Sequence, residues 1–516
     1  MSRYFYNAGR KFSDLAARQP ERAALRYPAG RTVTYAKLDG LANRVAALFR
    51  QRGLNKRDVV GIVHTKTVAC YAAMIAALKL GVTYVNLDDQ NPQARLAHIF
   101  STARPKLVFA EGSFTDVERA ASAAGTAFLN ASEPDIAHEL EMAEAVILPD
   151  PGEVTGTDPA YIMYTSGSTG VPKGALMTHA NVLNFAAWVS SRFEITPNDV
   201  LTNVNPMYFD NSVFDFYGGL LNGASIAPIS RQTLAEPALA VAQVEEAGCT
   251  TWFSVPSLLV YLTTMRLLTP DRLKTIRQFV FGGEGYPKPE LRKLFSAFGS
   301  RSRLVNVYGP TECTCICSAW DVSETDLADP AGLVTLGPVA ENFSALVLEE
   351  GRPVAPGEAG ELCLLGPQVG LGYVNDAERT QRSFVQNPLN AAWREIMYRT
   401  GDLVRLDGDG RKFHFVGRKD NQIKHMGYRI ELEEIEAALN RLDGVIQSAV
   451  VQKTGRAGIK VLVAYLAARR SIAEDELRSG LARFVPSYMI PQYFDVRESL
   501  PKNANGKIDR VALAAE

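Results

Sequence analysis

The segment 164–174 combines the residue types that bind phosphate. It reads YTSGSTGVPKG, so glycines, hydroxyl side chains and one Lys follow an apolar run. Glycines let successive backbone N–H groups converge on an anion, hydroxyls donate further hydrogen bonds, and Lys adds positive charge. The spacing differs from a Walker A loop, because Gly174 stands where Ser or Thr would follow the Lys. We therefore expect a phosphate loop of another type, formed by Thr165, Ser166, Gly167, Ser168, Thr169, Gly170 and Lys173.

Two further segments carry groups that suit a nucleotide. The segment 306–312 (NVYGPTE) offers an aromatic face, a turn and the pair Thr311 and Glu312. A hydroxyl beside a carboxylate suits a divalent cation next to phosphates. The segment 398–402 (YRTGD) places the carboxylate of Asp402 after a turn, where it could accept hydrogen bonds from ribose hydroxyls. Each segment alone could equally be an ordinary loop turn or a surface salt bridge.

Two polar segments lie nearer the C-terminus. The segment 417–420 (GRKD) has no apolar anchor, which is typical of a boundary between domains. The segment 501–509 (PKNANGKID) is a polar, glycine-containing loop that carries Lys507, and alone it could be a solvated tail. Together and in this order, the four segments and the phosphate loop predict a nucleotide site with a hinge.

The elements that must position these residues alternate between helix and strand in the first 150 residues. Residues 35–53 have helical apolar spacing and stop at a glycine, and residues 67–80 repeat the pattern before Gly81. The runs 59–63 (VVGIV) and 82–87 (VTYVNL) are typical of strands buried on both faces. This alternation predicts βαβ units and a parallel sheet.

The predicted secondary structure changes after about residue 330, from alternating helices and strands to mainly short strands. Short strands separated by Gly and Pro turns at 344–366 predict a β-rich subdomain, and 403–417 resembles a hairpin with Asp-Gly at its tip. The last hundred residues mix helix and strand, as a small α+β domain would. We therefore expect an α/β fold: a large N-terminal domain over 1–417 made of α/β subdomains and a β-rich subdomain, a hinge at 418–421, and a small mobile α+β C-terminal domain over 422–516.

Composition limits the function classes. The 516 residues suffice for about three compact units at roughly 150 residues each, and 47% of them are hydrophobic. The net charge of −1 argues against a nucleic-acid or membrane partner. No window approaches the roughly 18 consecutive apolar residues of a membrane span, and the start lacks an apolar signal core. With only six cysteines in the chain, we expect a cytoplasmic enzyme.

These motifs, in this order and spacing, resemble the adenylate-forming superfamily, and specifically the amino-acid adenylation domains of nonribosomal peptide synthesis. Free-standing D-alanine:carrier-protein ligases are similar. The resemblance extends from Thr34 to Arg510. It implies that an amino acid carboxylate attacks the α-phosphate of MgATP to give an aminoacyl adenylate and pyrophosphate. The phosphopantetheine thiol of a carrier protein then displaces AMP and leaves a thioester.

The resemblance also implies roles for individual residues. Lys507 would lie between the substrate carboxylate and the α-phosphate, Mg²⁺ would lie near Thr311 and Glu312, and the loop 165–173 would hold the β- and γ-phosphates. The small domain of such enzymes rotates between the two half-reactions. The nucleotide would further contact Gly283, Asn306, Tyr308, Asp402 and Arg418, while Asp420 matches the hinge and Gly427 the pantetheine tunnel. The chain departs from its relatives at Met426, where Arg is common.

Asp210 matches the carboxylate that pairs with the substrate ammonium group in these domains, although a helix N-cap is its simpler alternative. The remaining pocket is mostly apolar, without a second charge. D-alanine ligases carry Cys at the position of Gly282, so its absence here predicts a larger pocket. We expect a small to medium, uncharged amino acid of undetermined configuration. By the same resemblance the pocket comprises Asp210, Asn211, Phe214, Ser254, Val280, Gly282, Val307, Cys315 and Ile316, closed by Lys507.

No carrier segment follows Arg510, so we expect the carrier protein to be a separate polypeptide. Three other functions stay open: a D-alanine:carrier-protein ligase, an acyl- or aryl-CoA ligase, against which Asp210 argues, and a nucleotide-binding protein without turnover. The CxCxC pattern at Cys313–Cys317 lacks a second ligand pair and does not predict zinc. His179 could line the site or serve a structural role. Glu433, Glu434 and Glu436 are expected on a solvated helix face.

Overall fold

Two mainly parallel sheets form the N-terminal part of the protein. The computed structural model describes residues 4–143, 153–167, 171–408, 410–454, 460–502 and 508–516. Within these ranges the first sheet contains the two strands expected from their β-branched runs, and both are buried. In spatial order its strands are Gly372–Tyr373, Lys173–Thr178, Pro159–Thr165, Thr83–Leu87, Val59–Val63, Leu107–Ala110 and Ala127–Asn130.

The second sheet repeats the parallel arrangement and ends in antiparallel edge strands. One core cluster contains residues of both sheets, so the two sheets and the helices between them share a hydrophobic interior. In spatial order the described strands are Ser318–Asp321, Arg303–Tyr308, Gln278–Gly282, Thr251–Ser254, Val200–Asn203, Ser225–Pro228, Ala23–Arg26 and Thr32–Thr34.

Helices cover both sheets. The helix Val68–Leu80 is buried on nearly all sides and ends at Gly81, whose φ of 68° suits a left-handed C-cap. The other long helices of the N-terminal part, within the described residues, are Ala8–Arg18, Tyr35–Gln51, Gln93–Ala103, Thr115–Ala123, Pro134–Met142, His179–Arg192, Pro237–Glu246, Pro256–Thr264 and Lys288–Phe298. Short helices occupy Asn211–Val213, Arg231–Leu234 and Ala377–Ser383, and a π-helix occupies Phe214–Gly219.

The β-rich subdomain predicted after residue 330 is a six-stranded sheet in which every described pair is antiparallel. Its longest strand, Ile396–Leu406, carries Asp402 and pairs with the strand Phe413–Arg418. The expected hairpin therefore forms at this place. The remaining strands are Ser344–Glu349, Arg352–Pro353, Ala359–Leu365 and Phe384–Gln386.

The C-terminal part has its own elements and its own core. A two-stranded hairpin, Gln422–His425 with Tyr428–Glu431, precedes the helix Leu432–Leu439. Core clusters of the described residues contain either residues up to 413 or residues from 423 onward, never both. The predicted α/β class with a smaller C-terminal domain is confirmed. Its other strands are Val445–Thr454, Lys460–Ala468 and Tyr493–Arg497, and its other helices are Glu474–Leu481 and Arg510–Ala515.

Candidate active site

The carboxyl ends of the parallel strands open into one cavity. Its lining includes Thr165 and Ser166 from the first sheet, and Phe253 and Val307 from the second. Residues of the C-terminal hairpin complete the wall, among them Lys424. Ligand sites of open α/β sheets lie at this end of the strands. Because the hairpin enters the cavity, only about 50 Å³ of it stays open in this arrangement.

The phosphate loop begins where the strand Pro159–Thr165 ends. The buried hydroxyl of Thr165 has no hydrogen-bond partner among the described residues, and Ser166 donates to the carbonyl of Arg429 at 2.7 Å. A Cβ on Gly167 would come within 2.0 Å of the carbonyl oxygen of Val171, so the closed loop requires glycine here. The predicted loop residues Ser168, Thr169 and Gly170 lie outside the described residues.

Glu312 is the centre of a buried charge cluster. Its Oε1 lies 3.1 Å from Nζ of Lys173 and accepts a hydrogen bond from the hydroxyl of Tyr373 at 2.7 Å. Its Oε2 lies 2.8 Å from Nη1 of Arg429. Burial by itself would raise the pKa of Glu312, but the attraction of Arg429 and Lys173 holds that pKa well below its usual value. The carboxylate is therefore ionised, and in this arrangement both of its oxygens have partners.

The residues expected at the nucleoside end lie together. Asp402 accepts hydrogen bonds from the hydroxyl of Tyr308 and from Arg418, both at 2.5 Å. Arg418 also pairs with Asp420 at 2.6 Å, so the expected hinge carboxylate holds the same guanidinium. Asn306 donates to the carbonyl of residue 335 at 2.9 Å. A larger cavity of about 810 Å³ runs past these side chains and Gly283.

Asp210 lies in the wall of the cavity and does not cap a helix. Its side chain makes no capping hydrogen bond, although it precedes the helix Asn211–Val213. It accepts a hydrogen bond from the hydroxyl of Thr311 at 2.5 Å. Burial raises the pKa of Asp210, and no ion pair involves it among the described residues. The N-cap alternative is therefore wrong.

The expected side-chain pocket is reproduced only in part. Asn211, Val307, Cys315 and Ile316 line the cavity, as expected. The described lining does not include the other four residues assigned to it, Phe214, Ser254, Val280 and Gly282.

The prediction that Ser254 lines the pocket is wrong, because its side chain points to the face of the sheet opposite the cavity. Successive side chains of a strand point to opposite faces. Phe253 lies in register with Val280, and Ser254 lies in register with Phe281 on the opposite face. The hydroxyl of Ser254 is fully buried and accepts from the indole of Trp252 at 2.8 Å. Phe253, which the sequence analysis missed, lines the cavity in its place.

Phe214, Val280 and Gly282 lie behind the lining. The ring of Phe214 is fully buried against that of Phe253, with centroids 4.7 Å apart, and Val280 is fully buried too. A Cβ on Gly282 would come within 2.3 Å of the carbonyl oxygen of Val307. The room for a side chain at position 282 is already taken, so the expectation that Gly282 enlarges the pocket is wrong.

The C-terminal hairpin reaches deep into the site. Gly427, at its turn, has a φ of 81° and donates its N–H to Glu284 at 3.2 Å. A Cβ there would come within 2.5 Å of Cγ1 of Val255. The ammonium group of Lys424 lies 6.0 Å from the ring centre of Tyr308, and burial lowers its pKa. The expected tunnel glycine therefore does lie against the N-terminal part.

The acidic helix that follows the hairpin was expected to expose its glutamates to solvent, and this prediction is wrong for two of them. Glu434 and Glu436 are buried and not solvated. Glu434 pairs with Arg95 of the N-terminal part at 2.7 Å, and Glu436 pairs with Arg510. Only Glu433 of the three makes its described contact, with Asn421, at the surface. No local sequence signal predicts the burial of Glu434, because its partner Arg95 lies 339 positions away.

Three remaining expectations have simple outcomes. Lys507 lies outside the described residues. His179 has a structural environment, since it is fully buried and its Nδ1 accepts a hydrogen bond from the backbone N–H of Ala8 at 3.1 Å. Cys313, Cys315 and Cys317 are buried free thiols at the end of a 3₁₀-helix and in the loop after it, and the described residues contain no group of three or more His, Cys, Asp or Glu side chains that could hold a metal ion. Within the described ranges no helix combines the length and apolarity needed to cross a membrane.

Comparisons with known families cover most of the chain. Residues 12–374 match the family model described as "AMP-binding enzyme", and residues 434–507 match the model described as "AMP-binding enzyme C-terminal domain". Bacitracin synthase 1 of Bacillus licheniformis is 32% identical over 504 residues, which is 97% of this chain. The chain spans only 9% of the length of that relative.

Solved structures give the same result for the fold. The structure titled holo-PA1221, "an NRPS protein containing adenylation and PCP domains", superimposes with a TM-score of 0.84 and 27% identity, covering 99% of this chain and 84% of that one. The o-succinylbenzoate CoA synthetase (MenE) from Bacillus subtilis has the same TM-score of 0.84 at 22% identity, covering 98% of each chain. The second likeness concerns the fold alone.

Proposed function

The chain belongs to the AMP-binding enzyme family, and on this premise we propose that it activates an amino acid with ATP and then loads it onto a carrier protein. As a member it is an ATP-dependent adenylate-forming enzyme of the type found in nonribosomal peptide synthesis. The finer proposal has two steps. An aminoacyl adenylate forms first, and the phosphopantetheine thiol of a separate carrier protein then displaces AMP to leave a thioester.

The observation that carries this proposal is the position of Asp210. Its carboxylate lies in the wall of the cavity that also contains Thr311 and Asp402, and its hydrogen-bond donor is a neutral hydroxyl. Lys424 and Arg429 of the C-terminal hairpin attract this carboxylate without forming an ion pair with it. A buried carboxylate without a directly paired cation is costly. An ammonium group of the substrate would supply that partner. A substrate with a carboxylate to activate and an amine beside it is an amino acid.

The first step needs positive charge more than it needs a base. The substrate carboxylate is already a nucleophile, but it must approach an anionic triphosphate. Lys173 and the backbone of the loop that contains Ser166 and Gly167 would bind the β- and γ-phosphates. We propose that Lys507 binds between the carboxylate and the α-phosphate. Its replacement by Ala is expected to lower the rate of adenylate formation by about 100- to 1,000-fold.

The site also fits magnesium. Glu312 is fully buried and ionised, and its neighbour in the chain, Thr311, donates its hydroxyl to Asp210. The oxygens of Glu312 and Thr311 are hard donors of the kind that magnesium prefers. Oε2 of Glu312 pairs with Arg429 of the C-terminal hairpin in this arrangement. We propose that it becomes free for a cation when the hairpin withdraws. When bound, magnesium would neutralise part of the charge of the phosphates.

The nucleoside would bind along the larger cavity. Tyr308 and Asn306 would contact adenine, Gly283 lies at the rim, and Asp402 would accept hydrogen bonds from the ribose hydroxyls. Arg418 forms an ion pair with Asp402, and it would donate a hydrogen bond to a ribose or phosphate oxygen of the same nucleotide. These contacts are the ones expected from the family.

For the second step we propose the arrangement described here. Lys424, Gly427 and Arg429 of the hairpin line the cavity, and Gly427 would lie where the pantetheine arm enters. A glycine leaves room that a side chain would fill. Asp420 and residues 418–421 are the proposed hinge between this arrangement and the one in which Lys507 reaches the site.

The substrate pocket is more apolar than the sequence indicated, since Phe253 replaces the polar Ser254 in the lining. Cys315 and Ile316 add further apolar surface. We propose a small to medium, uncharged amino acid.

Amino-acid-dependent exchange between ATP and labelled pyrophosphate, measured over a panel of D- and L-amino acids, tests this function. At least one amino acid should support exchange. Asp210→Ala should lower kcat/KM for that amino acid by more than tenfold, whereas the matched acid without its amine should be used equally well by both proteins. Thioester formation on free coenzyme A in place of a carrier would support a CoA ligase, and ATP binding without any exchange would contradict the proposal.

A further inference from the structure

Two side chains of the C-terminal part bring opposite charges into the proposed phosphate site. The guanidinium of Arg429 pairs with Glu312 at 2.8 Å, and the carboxylate of Glu434 pairs with Arg95 at 2.7 Å. The side chains are 6% and 4% exposed in the pair Arg95–Glu434, and 14% and 0% exposed in the pair Arg429–Glu312, so both pairs are largely withdrawn from water. The two pairs cross the boundary between the N-terminal and C-terminal parts.

The surroundings of Glu434 are those of an anion site. Arg95 lines the same cavity as Thr165 and Ser166 of the phosphate loop. The backbone of Gly167, in that loop, lies close enough to lower the pKa of Glu434. A carboxylate of the C-terminal part therefore contacts both a buried cation and the loop that would hold phosphate oxygens.

Glu434 is not an optimal partner for this site. Its Oε2 is buried without a hydrogen-bond partner among the described residues. Burial raises the pKa of Glu434, and Arg95 opposes that rise only in part. An unsatisfied buried carboxylate oxygen is costly. A cavity of about 180 Å³ lies beside the pair and between the two parts of the chain.

Arg95 loses its partner if the C-terminal part moves. If the helix Leu432–Leu439 moves away with the hairpin, Arg95 loses the carboxylate of Glu434 but still lines the cavity that contains Thr165 and Ser166. Its guanidinium can then bind another anion. In the adenylation proposed above, the anion then present beside the phosphate loop is the polyphosphate of ATP. Arg guanidinium groups bind phosphate oxygens through paired donors.

We propose that Arg95 is a ligand of the pyrophosphate portion of ATP, and that Glu434 takes its place after pyrophosphate leaves. In the same way, the positive guanidinium of Arg429 takes the place of magnesium at Glu312, the carboxylate proposed to bind that ion. The two C-terminal side chains thus replace the charges of magnesium pyrophosphate. The inference rests on the proposed adenylation function.

This exchange couples product release to the rearrangement. Magnesium pyrophosphate and the C-terminal helix compete for Arg95, so each weakens binding of the other by the same factor. The helix can dock fully only when pyrophosphate has gone. Reversal of the first step is then hindered while the thioester forms.

Titration calorimetry of the full-length protein with magnesium pyrophosphate tests the proposal without using turnover. Arg95→Gln should weaken binding by about 10- to 100-fold, since a hydrogen-bonded charge pair is lost. Glu434→Gln should strengthen binding, because the competing carboxylate is neutralised. Arg119→Gln, which removes an exposed guanidinium paired with Asp116, is the matched control and should change nothing.

The opposite signs distinguish the proposal from a purely structural ion pair. If Arg95 only held the helix, both variants would loosen the helix and strengthen pyrophosphate binding alike. Changes of the same sign, or unchanged binding in Arg95→Gln, would therefore overturn the proposal. Arg95→Lys retains the charge and should fold even if Arg95→Gln does not; its binding should be weakened by a smaller factor, and wild-type affinity in it would also overturn the proposal.

A failure of the proposed function is seen separately. Wild-type protein that shows no amino-acid-dependent exchange, but whose variants still shift pyrophosphate binding in opposite directions, would disprove amino acid activation. The same result would still support an anion site at Arg95.

Discussion

Individual residues of the nucleotide site follow from their motifs because each motif is local. Lys173, Glu312, Tyr308, Asp402 and Arg418 come from four separate segments, and the structure brings them into two connected clusters. Their roles in catalysis stay predictions. The motif identifies these residues because a short loop fixes both their order and their spacing.

Pocket residues are less predictable, because a position one residue away in a strand faces the opposite side. Ser254 was expected in the lining and Phe253 was not, although the two are adjacent. Alternation along the strand Thr251–Ser254 could have corrected this, since Trp252 and Ser254 share a face. The sequence contained that signal, but the assignment by resemblance did not use it.

Phe253 is therefore predicted to set the size of the accepted amino acid. Phe253→Ala should enlarge the cavity and favour substrates with larger side chains, changing the ratio of kcat/KM values by about 10- to 200-fold. Pyrophosphate exchange over a graded series of uncharged amino acids measures this ratio.

The adjacent variant Ser254→Ala is the control and should leave the ratio unchanged, because its side chain points to the other face of the sheet. A change of preference in Ser254→Ala, with none in Phe253→Ala, would show that the lining is wrongly assigned.

At the scale of elements, the parallel sheets, the β-rich subdomain and the terminal α+β region all follow from hydrophobic periodicity. The helix Leu432–Leu439 illustrates the limit. Its acidic residues predicted a solvated face. Glu434 and Glu436 are nevertheless buried, and they form ion pairs with Arg95 and Arg510. A helix's own sequence shows which face is polar, but it does not show which distant cation will cover that face.

The hairpin provides the prediction at this scale. In Gly427→Ala the new Cβ would come within 2.5 Å of Val255, and the φ of 81° is unfavourable for alanine. The hairpin should then enter the site poorly. We expect thioester formation to fall by more than tenfold while exchange of pyrophosphate, which uses the other arrangement, stays within about twofold. Single-turnover transfer of the preformed adenylate to a carrier protein measures the difference.

Gly417→Ala is the matched control, because a Cβ at Gly417 would meet no heavy atom within 4 Å. Equal loss of both half-reactions in Gly427→Ala would mean that this variant damages the fold and would contradict a role confined to the second step.

For the whole molecule, separate cores imply that unfolding is not a single transition. The described core residues divide between those up to 413 and those from 423 onward. Two-state analysis therefore applies to each part and not to the chain. Length and composition predicted several units, but the buried ion pair between Arg95 and Glu434, which joins them, depends on three-dimensional contacts.

The stability of the N-terminal part should depend on pH through His179. Burial lowers the pKa of His179 to about 4, with Asp158 opposing and Lys56 adding to the shift, so the ring is neutral in the folded state at pH 6. The unfolded chain has the ordinary pKa of about 6.5 and takes up a proton first as the pH falls. The free energy of unfolding should therefore decrease between pH 6.5 and pH 4, by at most about 3 kcal/mol from this residue.

His179→Gln removes this titration while its amide oxygen can still accept the hydrogen bond from Ala8. Urea unfolding of the N-terminal transition at several pH values should show a shallower decrease in the variant than in the wild type. Part of the slope will persist in His179→Gln, because burial also lowers the pKa of His64 to about 3. Equal slopes in wild type and His179→Gln would mean that the buried ring does not differ in protonation between the folded and unfolded chain. The link from Ala8 to His179 would then contribute to stability only through packing and its hydrogen bond.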